Sequence, residues 1–144
     1  MANVVKEGPW GANTGKPFDT GSVDHFTNVK IYYGDAIYGL ELTFVVSGTI
    51  KTMLIGEKKG ASEEITLGQD EHFTSISGYF NSGNDIIITQ LTLTTDKDSN
   101  ISAGKKTGNH FFLALEDGVH IVGFFGLGQP NIVVKAIGVY CSFG

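Results

Sequence analysis

The stretch "DHFTNVKIYY", Asp24 to Tyr33, lies without a gap over "EHFTSISGYF", Glu71 to Phe80. The two share a His, a Phe, a Thr and a Tyr, and their histidines, His25 and His72, are 47 positions apart. A third copy is "GVHIVGFF", Gly118 to Phe125, in which Ile121 to Phe124 aligns with Ile76 to Tyr79 at an offset of 45. Each copy is followed by a short turn and a second apolar run: "IYGLELTF", "IIITQLTL" and "IVVKAIGVY". Self-similarity at a fixed period marks a chain built from like units that bury a common core.

The units are β units. Apolar and polar residues alternate in "VKIYYG", "LELTFVV", "EEITLG", "TQLTLTT" and "HFFLAL", each run bounded by Gly, Asn, Asp or Ser. Twenty glycines and three prolines supply the turns. No stretch keeps a 3.6-residue period with caps, so the chain is expected to be all-β. Three units could close as a propeller, a trefoil or a prism. Propellers of fewer than about four blades are unusual, and a trefoil would impose another hairpin rhythm. A prism of three antiparallel sheets fits best.

Length and charge narrow the function. At 144 residues the chain is long enough for one domain, 1–144, with a real core. No apolar run approaches the roughly 18–20 residues of a membrane span. The start, "MANVVKEGPW", shows no secretory signal, and Cys141 stands alone; both point to a reducing, cytoplasmic setting. Net charge is −5 and all ten basic residues are lysines. Without arginine there is no bidentate fork for phosphates or guanine edges, so nucleic acid is not an expected partner.

Catalysis finds no foothold. There is no G-x-S-x-G elbow and no metal-ligand spacing. His25 and His72 hold equivalent places in the repeat, which speaks for duplicated packing, and His110 and His120 offer no ligand spacing with them. Cys141 has no partnered histidine in a recognisable motif. Neither an enzyme, a metal nor a cofactor is expected.

The blocks "GPWGANTGKPFD", "ISGYF", "LTLTTDK", "GNHFFLAL", "IVGFFG" and "AIGVY" follow one another in the order and spacing of the jacalin-related lectins. The resemblance covers Val4 to Phe143. It implies a β-prism of three four-stranded Greek-key sheets with pseudo-threefold symmetry, in agreement with the internal repeat. It also implies a binding protein for glycans that uses neither metal nor catalysis, commonly as a homodimer or higher homo-oligomer. The unbroken "NTGKPFD" is similar to the single-chain, mannose-type branch.

By that resemblance the site lies at one end of the prism. Gly15 would face the sugar with its backbone, the loop Phe80 to Asp85 (including Asn84) would form a wall, and an aspartate directly before "AIGVY" would accept hydrogen bonds from adjacent hydroxyls. This chain has Lys135 there, in a longer "GLGQPNIVVK" loop. An ammonium has three donors and no acceptor, so it cannot take the aspartate's part. Lys135 reads either as a solvated edge charge or as a member of a remodelled site with acceptors from Asp85, Gln129 and Asn131. A second site known in some members is incomplete: Asp35 is kept, Tyr38 replaces an aspartate, and the partner loop "GEKKG" carries lysines. Two functions remain open, a glycan-binding lectin of altered specificity and a structural or protein-interaction module that kept the fold alone.

Overall fold

The computed structural model describes residues 3–143, which form twelve β-strands and no helix. In chain order these are β1 (Asn3–Gly11), β2 (Lys16–Asp19), β3 (His25–Tyr33), β4 (Ile37–Val46), β5 (Thr49–Gly56), β6 (Ala61–Thr66), β7 (Phe73–Phe80), β8 (Ile88–Thr95), β9 (Asn100–Gly104), β10 (Asn109–Ala114), β11 (Val119–Gln129) and β12 (Val133–Phe143). They make three antiparallel four-stranded sheets, ordered β1-β12-β11-β2, β5-β4-β3-β6 and β10-β7-β8-β9. The first sheet joins the beginning and end of the chain, since β1 pairs with β12 from Asn3↔Phe143 to Gly11↔Ala136. The expected β-prism is found.

Alternation explains which face turns inward. Along β4, Leu40, Leu42 and Phe44 are buried while Glu41 and Thr43 are not. The period of two puts one set on the core face and the other toward solvent. At the centre of the prism Phe26 of β3, Phe73 of β7 and Phe124 of β11 meet pairwise, with ring centroids 5.1–6.2 Å apart. One aromatic from each sheet therefore locks the three together. Burying such a side chain is worth about 1.5–3 kcal/mol.

The repeat is more regular than the sequence alignment. Each of β3, β7 and β11 contains an early bulge, after Phe26, Phe73 and Ile121. The bulged residues Thr27, Thr74 and Val122 are thus equivalent, and the third copy is offset by 48 positions from the second, not 45. The hidden partner of His25 and His72 is His120. The rings of His72 and His120 lie 4.2 Å apart and those of His25 and His72 6.3 Å apart. In the sequence His120 offers no ligand spacing with the other two; the structure adds that it is their equivalent in the repeat, which the misaligned register had concealed. Among the described residues no set of three or more His, Cys, Asp or Glu side chains is arranged to hold a metal ion.

Candidate functional site

The end of the prism away from the histidines is built from one device used three times. In β3–β4, Tyr32 pairs with Gly39 and Tyr33 with Ile37, which leaves Tyr38 as an extra residue. In β7–β8, Tyr79 pairs with Gln90 and Phe80 with Ile88, leaving Thr89. In β11–β12, Leu127 pairs with Ala136 and Gly128 with Val134, leaving Lys135. A bulge re-aims the side chain of its extra residue. Beside each bulge runs a Gly-x-x-x-Gly loop, Gly11–Gly15, Gly56–Gly60 and Gly104–Gly108. Each loop donates one backbone bond to its bulge: Ala12 N–H to the Lys135 carbonyl (3.0 Å), Glu57 N–H to Tyr38 (2.8 Å) and Lys105 N–H to Thr89 (2.8 Å).

The device in β11–β12 holds Lys135. Strand β12 lies between β1 and β11, so the residue is on no edge. Its side chain is only 12% exposed, and its Nζ reaches Oδ1 of Asp85 at 3.6 Å, while the Asp85 side chain is 81% exposed. The reading of Lys135 as a solvated edge charge is therefore corrected. The lysine stem leans along Gly15: a Cβ placed on that glycine, where φ is +142°, would lie 3.4 Å from Lys135 Cδ, 3.1 Å from the Gly128 carbonyl and 3.2 Å from Leu127 Cβ. The side chain thus crosses from the Gly15 loop to the loop after β7, over the ground where the resemblance places a sugar.

That second loop is held from within. Asn81 donates from Nδ2 to the Asp85 carbonyl (3.1 Å), and its Oδ1 accepts from Ile87 N–H (2.7 Å). The backbone of residues 81–87 is tied down, while Asn84 and the Asp85 carboxylate remain exposed. At 3.6 Å the Lys135–Asp85 contact is an ion pair longer than a hydrogen bond. The carboxylate keeps lone pairs for a ligand, and the ammonium keeps donors.

The long loop after β11 proves to be a hairpin extension. Pairing continues to Gln129↔Val133, and Ile132 N–H donates to the Gln129 carbonyl at 3.0 Å. Pro130 and Asn131, the latter at φ +63°, occupy the two central positions in the manner of a type II turn. Asn131 N–H also reaches the Gly56 carbonyl (3.3 Å), which anchors the turn to β5.

This turn stands between two depressions. One, of about 300 Å³, is bordered by Tyr38, Glu57, Lys59, Asp85, Gln129 and Asn131, with Ile87, Ile132 and Val133 at its apolar side. The other, of about 250 Å³, runs between β2 and β5 past Lys16, Phe18, Leu54 and Pro130, and shares Asn131 with the first. Such volumes lie at or just below the lower limit of about 300 Å³ for small-molecule sites. Lys59 Nζ sits 5.2 Å from the centroid of the Tyr38 ring, a cation–π contact that steadies that wall.

Of the residues singled out in the sequence, Asp85, Gln129 and Asn131 come together in the first depression. Lys135 joins Asp85 from the side of Gly15. Of the pair singled out for a second site, Tyr38 lines the depression that holds Asp85, and Asp35 is exposed in the β3–β4 turn. Sequence reading missed Glu57 and Ile87. The signal for Glu57 was present, since "GEKKG" is the counterpart of "GANTG" in the repeat.

A family model described as "Jacalin-like lectin domain" matches residues 7–140. Among relatives, Horcolin of Hordeum vulgare is 30% identical over 99% of both chains. The jacalin-related lectin Calsepa of Calystegia sepium is 32% identical over 92% of both, and a galactose-specific lectin of Morus indica is 31% identical over 83% of this chain and 81% of that one. Among solved structures, wild-type Malaysian banana lectin superimposes with a TM-score of 0.86 at 31% identity, covering 96% of this chain and 98% of that one. A mannose-binding lectin from Champedak does so with a TM-score of 0.84 at 26% identity over 97% of both. With its three bulged sheets and Gly-x-x-x-Gly loops, this chain belongs to the jacalin-related lectin family.

Proposed function

We propose that this protein binds glycans, without catalysis, at the loop end of the prism through a site in which Asp85 takes over the acceptor role. The observation that carries the reading is the Lys135–Asp85 pair, which brings a carboxylate 81% exposed to the Gly15 side of a 300 Å³ depression. A pyranose offers adjacent hydroxyls that both donate and accept. Asp85 accepts, Lys135 donates, and the amides of Gln129 and Asn131 do either. Tyr38 and Ile132 give an apolar patch for the face of a ring.

The unbroken Gly15 loop favours a mannose- or glucose-type sugar. The family itself admits more than one sugar, since one relative is named galactose-specific and one neighbour mannose-binding. Exposed Val4 and Val5 on edge strand β1, with Phe143 beside them on β12, support self-association, which would multiply weak single-site binding. Amide chemical shifts of the whole chain, titrated with methyl mannoside, glucoside and galactoside to high millimolar concentration, test the reading. Saturable shifts at Gly15, Asp85 and Gln129–Lys135 are expected. Flat spectra for all three would favour a module that kept the fold and lost the sugar.

A further inference from the structure

The net charge of −5 is unevenly spread. At the histidine end of the prism, the loops after β2, β4, β6, β8 and β10 carry Asp24, Asp70, Glu71, Asp96, Asp98, Glu116 and Asp117 against Lys97 alone. The sugar end is the reverse. Its loops, its bulges and the first residue of β2 hold Lys16, Lys58, Lys59, Lys105, Lys106 and Lys135 against Asp35, Glu57 and Asp85. Six lysines face three carboxylates, or four if Glu63, just inside β6, is added. Lys58 is drawn to Glu41 at 3.2 Å and Lys135 to Asp85 at 3.6 Å. Lys16, Lys59, Lys105 and Lys106 remain, with Asp35, Glu57 and Glu63 as the carboxylates left to oppose them.

The placement is not incidental to the fold. Lys58-Lys59 and Lys105-Lys106 occupy the middle of the second and third Gly-x-x-x-Gly loops, and Lys16 follows the first directly. Lys135 is the bulge residue facing that first loop. Thus the cations ring the same end from all three sheets. The depression itself is bordered by Glu57 and Asp85 as well as Lys59, and it is the wider ring of lysines around it that would raise the local concentration of an anion at this end. On a chain that is acidic overall, this end is the part suited to an anion.

We propose that the site takes an acidic pyranose, a uronate of gluco or manno configuration, whose ring hydroxyls meet Asp85, Gln129 and Asn131 while its carboxylate meets the ammonium groups of Lys59 and Lys135. This deepens the glycan reading above and rests on it. A uronate keeps the equatorial hydroxyls of its neutral parent and adds one charge at the sugar's exocyclic carbon. The lysine that removes the family's acceptor then supplies the counter-charge.

The test is an amide-shift titration of the full chain with methyl glucuronide, methyl glucoside and sodium acetate, at low ionic strength and again in about 1 M salt, where the Debye length falls to about 3 Å. The glucuronide is expected to bind about tenfold or more tightly than the glucoside, as one added charge-assisted hydrogen bond would give. Its shifts should centre on Lys59, Asp85 and Lys135, and its advantage should shrink in high salt. In K59Q/K105Q/K106Q, three exposed loop changes, the advantage should be lost with the rest of the spectrum in place. Equal affinity for glucuronide and glucoside at this end would overturn the acidic-sugar inference and leave the lectin reading standing. Acetate binding as tightly as glucuronide would overturn it too, reducing the site to a simple anion trap. If neither sugar binds, both readings fail together.

Discussion

Replacing Lys135 with aspartate should exchange one specificity for another. The backbone at this bulge is held by the Ala12 N–H and by pairing on both sides, so the substitution changes the side chain alone. K135D withdraws the lysine stem from beside Gly15 and puts an acceptor at the floor of the space it filled. Two adjacent sugar hydroxyls could then donate to one carboxylate. Hydrogen bonds to charged groups contribute about 1.5–3 kcal/mol each. Against this stands the loss of the Lys135–Asp85 pair, which at an 81% exposed partner is worth about 0–1 kcal/mol, and a similar repulsion between two carboxylates. Taking the low end of the gain, about 3 kcal/mol for two bonds, and about 1 kcal/mol for the combined losses leaves about 2 kcal/mol, or roughly thirtyfold in affinity for methyl mannoside or glucoside. Over the same change the uronate should lose its advantage. Isothermal titration with both sugar types reads the two effects, and K135M, which removes the charge but keeps much of the volume, should show the second without the first. If K135D leaves neutral-sugar affinity unchanged while the protein stays folded, the hairpin extension at Pro130–Asn131, and not the lysine, closes the usual site.

Two further outcomes follow from the packing. Burial, and then the charge of neighbouring His72, hold the pKa of His120 below its ordinary value of 6.5, with Asp96 pulling weakly the other way; His25, Glu71 and Asp24 border the same small cavity. The folded state therefore binds this proton less readily than the unfolded chain, so stability should be full above about pH 6.5 and fall as pH drops through that value toward the lower folded one. Urea midpoints across pH 4–8 should show a shallower acid slope in H120Q than in the parent protein, and parallel profiles would refute the assignment. Phe124 touches both Phe26 and Phe73 and is fully buried; F124A should cost about 3–5 kcal/mol by urea unfolding, and a loss below 1 kcal/mol would show that the ring is not a central lock.

Much of the fold was written locally. Alternation in "LELTFVV" and "TQLTLTT", with glycine and asparagine between runs, is enough to call up hairpins, and the His-Phe-Thr echo at His25 and His72 discloses the symmetry. The third unit was harder to place because Ile121 and Val122 stand where the others have Phe and Thr. Without that anchor the similar "IVGF" and "ISGY" drew the alignment three positions out of register, and His120 lost its partners. Bulges deepen the difficulty, since one extra residue per strand leaves no mark in a period-two pattern. They also hide the common origin of Tyr38, Thr89 and Lys135. The Lys135–Asp85 pair joins a bulge of β12 to the β7–β8 loop, fifty positions away; composition and periodicity are silent on it, and only the resemblance brought the two loops together.

Sugar binding as proposed turns on the Asp85 carboxylate. Titrating D85N beside the parent protein with methyl mannoside and methyl glucuronide, each followed by amide shifts, compares a carboxylate with an amide of nearly the same shape. The loop is tied by Asn81 to the backbone of residues 85 and 87, so its path should survive the change. A loss of about tenfold or more in affinity for whichever sugar binds, with the remaining spectrum intact, is the predicted result. Undiminished binding would show that the sugar is held elsewhere and that Asp85 is not the acceptor of this site.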